Sequence, residues 1–145
     1  MTDREYPPRP IVGIGIVVIR GHEVLLCRRG KPPNVGSWTL PGGAQDVGET
    51  CQAAARRELE EETGLTVGEL HFCAYVDTIR KDDQGRVQFH YTILDFAARY
   101  DGGQAVAGSD VSEVQWASMD DLGPYNLWSE AHRIIAIARG LVGDD

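Results

Sequence analysis

The sequence is short of several things, and each shortage removes a class of function. No run approaches the ~18 consecutive apolar residues that a membrane-crossing helix needs, so no membrane association is expected. The opening residues, MTDREYPPRP, lack the apolar core of a secretory leader, and the expected location is the cytoplasm. Cysteine is scarce: Cys27, Cys51 and Cys73 are scattered, odd in number and form no CxxC. That spacing indicates neither a zinc site nor a disulfide framework, and reduced thiols are expected. Positive charge is also scarce, with 14 Lys and Arg against 22 Asp and Glu and a net charge of −8. A broad grip on DNA or RNA needs a basic footprint, so nucleic acid is not an expected partner. A phosphate-bearing small molecule stays open, because a bound cation would reverse the local field. Gly13 and Gly15 are not followed by GKS or GKT. They lie inside a strand-like run and read as points of close backbone packing rather than a phosphate loop.

What is present suits one ordinary domain. The chain has 145 residues, 42% hydrophobic and 25% charged, and no internal repeat. Residues 1–10 carry three prolines and mixed charges, and are expected to form a flexible arm that either hangs free or packs on a partner subunit. A homodimer therefore stays open. Residues 11–145 are expected to form a single domain. Ile11 to Ile19 (IVGIGIVVI) is continuous and β-branched, as in a strand buried on both faces. Arg20-Gly21-His22 is a turn, and Glu23 to Arg29 the returning strand. Val67 to Thr78 and Val87 to Ala98 read as strands around a polar hairpin loop, Lys81 to Arg86, although the alternation in the second does not choose a buried face. Asp101 to Asp110 reads as a loop and Glu113 to Ala117 as a short strand. Ser118 to Leu122 reads as a helical turn capped by Ser118, and Trp128 to Leu141 as an amphipathic helix with Ile134, Ile135, Ala138 and Leu141 inward.

The most informative stretch is Gly43 to Leu65, GAQDVGETCQAAARRELEEETGL. Thr50 is the expected N-cap and Gly64 the expected C-terminal glycine of a helix. Its second half holds Glu58, Glu60, Glu61 and Glu62. Glu58, Glu61 and Glu62 share a face, because they stand at i, i+3 and i+4. Like charges at that spacing cost roughly 0.2–0.5 kcal/mol per pair, and acids near a helix C-terminus oppose its dipole. A local rule broken this way often marks function. The same face continues through Cys51, Ala54 and Ala55, so a packing face turns acidic along its length. Sheltered carboxylates need a counter-charge. With only Arg57 close in sequence, a hard divalent cation such as Mg²⁺ or Mn²⁺ fits oxygen ligands. On these four residues alone, a solvated acidic helix end fits equally well.

The spacing of this stretch resembles the Nudix box at every fixed position: Gly43, Glu49, Arg57-Glu58-Leu59, Glu61-Glu62 and Gly64-Leu65, with Trp38-Thr39-Leu40-Pro41-Gly42 as a similar lead-in. The resemblance implies an α/β fold, an α/β/α sandwich with a mixed β-sheet. It implies Mg²⁺-dependent hydrolysis of the pyrophosphate linkage of a nucleoside diphosphate derivative, with Mn²⁺ as a substitute. The metal ligands it implies are Glu58, Glu61 and Glu62, with the Gly43 carbonyl as a further donor. Arg57 would orient a carboxylate, and Glu49 would steady the loop or helix. The general base it implies is either Glu58 or a carboxylate of a later loop, Asp110 or Glu113. Arg28 and Arg29, leaving a strand before a Gly- and Pro-rich loop, are candidates for a phosphate clamp, with a solvated strand end the competing reading. Trp38 is a further substrate-binding candidate, and the expected partner is a small nucleotide.

The strand Phe89 to Ala98, the Gly-rich loop after it and Glu113-Val114-Gln115-Trp116 are more similar to hydrolases of ADP-ribose or nucleotide sugars than to a nucleotide-pool sanitiser. A nucleoside triphosphate pyrophosphohydrolase, acting on ordinary or oxidised dNTPs, is the second enzymatic reading. A non-catalytic nucleotide-binding regulator is a third, although such proteins usually lose box carboxylates that this chain keeps.

Overall fold

The computed structural model describes residues 4–143. The first three residues of the expected arm and the last two of the expected domain lie outside the described residues. Among the described residues, seven strands and two α-helices are formed: β1 (Ile11–Arg20), β2 (Glu23–Arg29), β3 (Trp38–Thr39), β4 (Gly42–Ala44), α1 (Cys51–Thr63), β5 (His71–Lys81), β6 (Val87–Arg99), β7 (Val111–Ser118) and α2 (Ser129–Val142).

The strands make one mixed sheet in the order β3-β2-β1-β6-β5, with β7 added to β2 and β4 to β1. β1 and β6 run parallel from Ile11↔Tyr91 to Ile19↔Arg99; the other pairings are antiparallel. One edge of β1 is shared. Ile19 and Arg20 meet β2 at the hairpin, whereas Gly13, Ile14 and Gly15 meet Ala44, Gly43 and Gly42 of β4.

A helix covers each face, which is the expected α/β/α layering. Ile14, Ile16 and Val18 of β1 pack with Leu25, Ala54, Ala55, Leu59 and Leu65 on the α1 side. Val17 and Ile19 pack with Val24, Leu26, Ile134, Ile135, Ala138 and Val142 on the α2 side. The uninterrupted β-branched run of β1 is thus buried on both faces, since alternate side chains feed different cores. Gly13 and Gly15 lie in β1 as close-packing points: a Cβ on Gly15 would come 2.1 Å from Asp95 Oδ1.

Several boundaries differ from the sequence reading. β3 and β4 are short strands where only a lead-in loop was expected, because their pairing partners are distant in sequence. Residues 65–70 bury Leu65, Val67 and Leu70 without joining a strand, and β5 starts at His71. No helical turn forms at Ser118. Its hydroxyl accepts from Asp120 N at 3.2 Å, and a 3-10 turn forms later at Gly123–Tyr125 with proline in its first turn. Leu141 is exposed, and Val142 takes the inward position of α2. In the arm, Tyr6 donates from N to Gln88 O at 2.7 Å and from its hydroxyl to Asp82 Oδ2 at 2.8 Å.

Candidate active site

α1 begins and ends as its sequence dictates. Thr50 Oγ1 accepts from Ala53 N at 3.0 Å, and Gly64 adopts φ +75° while donating to Glu60 O at 2.8 Å. Ala54, Ala55, Leu59 and Thr63 anchor the helix on the sheet. That register turns Glu58 and Glu62 towards β4.

β4 is built to receive them. A Cβ on Gly43 would lie 2.4–2.5 Å from the Glu58 carboxyl atoms, so this carboxylate rests directly on the Gly43 backbone. Gly42 N donates to Glu62 Oε1 at 2.9 Å. A Cβ on Gly42 would stand 2.0 Å from Ile14 O, so Gly42 is also required for the β1–β4 approach.

Arg57 ties the loop to the helix. Its Nε and Nη2 donate to both Glu49 oxygens at 2.7 and 2.9 Å, a two-point charge-assisted contact. Nη1 donates to Glu58 Oε1 at 2.8 Å and to Glu61 Oε1 at 2.9 Å, and Nη2 reaches Ala44 O at 3.0 Å. Glu49 in turn accepts from Asp46 N at 2.9 Å. The Arg57 guanidinium, with help from the Asp46 amide, holds the Glu49 carboxyl at about 2. The Arg57 pKa is itself raised, first by Glu49.

The helix carboxylates differ from Glu49. Burial pushes the Glu58 pKa up, with Arg57 opposing. Burial pushes Glu62 further, to about 7; the Gly42 amide and Arg29 pull it down, while Glu58 and Asp110 push it up. Glu61 is exposed and turned to Arg57. Glu58 and Arg57 therefore come together with Glu61, while Glu62 turns to Gly42. Among the described residues, no group of three or more His, Cys, Asp or Glu side chains is gathered tightly enough to hold a metal ion by itself. The donor set nevertheless fits a hard divalent cation. Its donors are carboxylate oxygens, and burial raises two of those carboxylates, so a cation would relieve charge that the protein offsets only in part.

The adjacent arginines separate. Leu25 and Leu26 of β2 already point into opposite cores, and Arg28 and Arg29 follow this alternation. Arg29 acts on Glu62 and donates to Pro33 O at 2.6 Å. Arg28 lies 5.7 Å from the Trp38 ring centroid and donates to Gly36 O at 2.9 Å and to Glu113 Oε1 at 3.3 Å. Trp38 meets the Tyr125 ring edge-on at 5.4 Å. Glu113 is thus grouped with Arg28 and not with the box carboxylates. The loop before β7 approaches the box elsewhere: Gly108 N donates to Glu62 O at 3.0 Å, and a Cβ on Gly108 would lie 2.6 Å from Glu61 O. Asp110 is near enough for its charge to act on Glu62, and it pairs with Lys31 at 2.8 Å.

Sequence reasoning missed Tyr125 and Gly108. A Gly-Pro pair just before Tyr125 is a turn signal the sequence offers, but nothing local places that turn over Trp38.

Residues 9–136 match the family model described as "NUDIX domain". The chain is 31% identical over 113 residues to an ADP-ribose pyrophosphatase of Methanocaldococcus jannaschii, covering 78% of this chain and 64% of that one, which is less than two thirds of its length. It is 32% identical over 115 residues to an oxidized purine nucleoside triphosphate hydrolase of Danio rerio, covering 79% of this chain and 70% of that one. A solved MutT NUDIX hydrolase from Burkholderia pseudomallei superposes with a TM-score of 0.77 at 28% identity, covering 88% of this chain and 97% of that one.

Proposed function

The chain belongs to the Nudix family, and from that premise we propose that it hydrolyses the pyrophosphate linkage of a nucleoside diphosphate derivative of the ADP-ribose or nucleotide-sugar type. The observation that carries this reading is the arrangement around Arg57, which holds Glu49, Glu58 and Glu61 at 2.7–2.9 Å beside the glycine backbone of β4.

Glu58, Glu61 and Glu62, with the Gly43 carbonyl, are the residues that would hold Mg²⁺, or Mn²⁺ in its place. When bound, such an ion neutralises charge between polyphosphate and glutamates and lowers the pKa of the attacking water. Arg57 fixes the direction of two of these carboxylates, so little reorganisation is needed when substrate arrives. Arg29 adds positive charge on the same side, suited to a phosphate oxygen. Glu58 is the proposed general base because its carboxylate rests on the Gly43 backbone and accepts from Arg57, which aims it into the site. Arg28, Trp38 and Tyr125 offer aromatic and cationic surface for the planar part of the substrate, with Glu113 steadying Arg28. Water attack breaks one P–O bond of the anhydride and leaves two phosphate monoesters.

The similarity to the Danio rerio protein supports a second substrate class, oxidised purine nucleoside triphosphates. A panel of ADP-ribose, nucleotide sugars and normal and oxidised nucleoside triphosphates, turned over in ¹⁸O-water with Mg²⁺, separates the two. The expected result is label in a monophosphate product from a diphosphate derivative, with turnover lost in EDTA and regained on adding Mg²⁺. Turnover that persists in EDTA, or inorganic pyrophosphate as the preferred product, defeats the primary reading.

A further inference from the structure

β5 is the last strand of the sheet and has no strand on its outer side among the described residues. It is eleven residues long and contains no proline. A free edge of that length is a template for another strand, and proteins often close one with a covering loop or proline; β5 has a bulge at Cys73 and charged Asp77, Arg80 and Lys81, which restrict the strands that can join it. Here the edge opens instead into a groove of about 630 Å³, walled by Ala74 to Asp77 on one side and by Glu130 and Arg133 of α2 on the other.

The side chains beside this edge are apolar where solvent would favour polar ones. Phe72, Tyr75 and Ile79 are 54%, 59% and 55% exposed. Phe72 and Tyr75 stand opposite Phe96 and Leu94 of β6, which belong to the α1-side core. Ile79 follows on the same face by strand alternation. The strip therefore reaches the margin of the sheet, with the exposed Asp77 standing between Tyr75 and Ile79 on the same face.

The charges show what completes it. Glu69 stands just before β5, and Arg80 and Lys81 end it; because the bulge at Cys73 takes up one residue, Glu69 lies as many ladder steps from Tyr75 on one side as Arg80 does on the other, with Lys81 next to it. An antiparallel strand of the same sequence, turned about an axis near Tyr75, sets the basic end of one copy beside the acidic end of the other, twice. The same rotation joins the two apolar strips on one face. With a net charge of −8, two copies repel at long range, so local opposite charge must set the register. We propose that two copies of this chain associate edge to edge through β5, forming one sheet continuous across a two-fold axis at Tyr75.

The test is molar mass of the full chain by light scattering and sedimentation, from low to high micromolar concentration. A mass approaching twice 15.9 kDa is expected at the upper end. Arg80→Glu with Lys81→Glu should weaken dimerisation about tenfold, and adding Glu69→Lys to that pair should restore it. Tyr75→Pro should abolish it, with circular dichroism reporting whether the chain stays folded; if it unfolds, the charge set alone decides. A single-chain mass at every concentration overturns the proposal and leaves the edge to a different chain. A dimer indifferent to the charge reversal overturns it as well.

Discussion

Arg57 shows how one side chain can convert an unfavourable stretch of helix into a device. Four glutamates within five residues would repel one another, yet Arg57 takes two of them and Glu49 as well. The carboxylate beyond the helix is what positions the guanidinium, and Glu49 touches neither Glu58 nor Glu61 in doing so. Glu49→Gln should therefore act at a distance. It keeps size and one acceptor oxygen but gives up the ionic two-point contact, and on the proposed reading kcat or cation affinity should fall about 10–100-fold, as for residues that support metal ligands. Steady-state kinetics across a Mg²⁺ titration reads both quantities; unchanged values on each axis would show that Arg57 holds its orientation alone.

At the scale of elements, β4 and α1 work as a pair, and the two glycines of β4 make separable contributions. A methyl group at Gly42 collides with the Ile14 backbone, whereas one at Gly43 collides with the Glu58 carboxylate. Backbone cannot swing aside, and the end of a glutamate can. Gly42→Ala should thus lower stability by about 1–3 kcal/mol, the range for overpacking a close contact. Gly43→Ala should leave the melting temperature nearly unchanged while turnover drops. Thermal unfolding beside a rate assay distinguishes them, and equal loss of stability in both variants would refute the division. The helix itself was legible in advance, because Thr50, Gly64 and the apolar positions between them are local signals. β3 and β4 were not, since strands of two and three residues exist only through pairing with β2 and β1. The parting of Arg28 from Arg29 did follow from strand alternation, but only once β2 was known to have a core on either side.

For the whole molecule, the burial of Asp95 is a costly polar choice made away from the Arg57 cluster. It lies in β6, is 5% exposed, and burial raises its pKa from 3.8 to about 6, with Arg133 opposing. In the unfolded chain the group titrates near its ordinary value. Between about pH 4 and pH 6 the native state therefore binds more protons than the unfolded state, and stability declines as pH rises through that window, then levels off. Asp95→Asn should stabilise the fold by up to about 3 kcal/mol at neutral pH, with the gain vanishing by about pH 4. Unfolding curves of both proteins at several pH values check this; a gain independent of pH would assign it to packing. Neither the burial nor its cause could be read from the sequence, where Asp95 falls in a strand whose two faces look equally mixed. The layering was reachable only through the resemblance carried by Gly43 to Leu65, because periodicity describes single elements and not which face of a sheet each helix covers.

The glutamates and the arginine that binds them all fall between Glu49 and Glu62, whereas Arg28, Trp38, Glu113 and Tyr125 are gathered from β2, β3, β7 and a turn. The first group is bound into one network through Arg57, so replacing one member leaves the others without a shared partner. The second is joined by single ring and hydrogen-bond contacts between different elements, so one member can be replaced with less effect on the rest. On the proposed reading, substrate choice should therefore shift with single replacements at Arg28, Trp38 or Tyr125 that leave the Arg57 network in place.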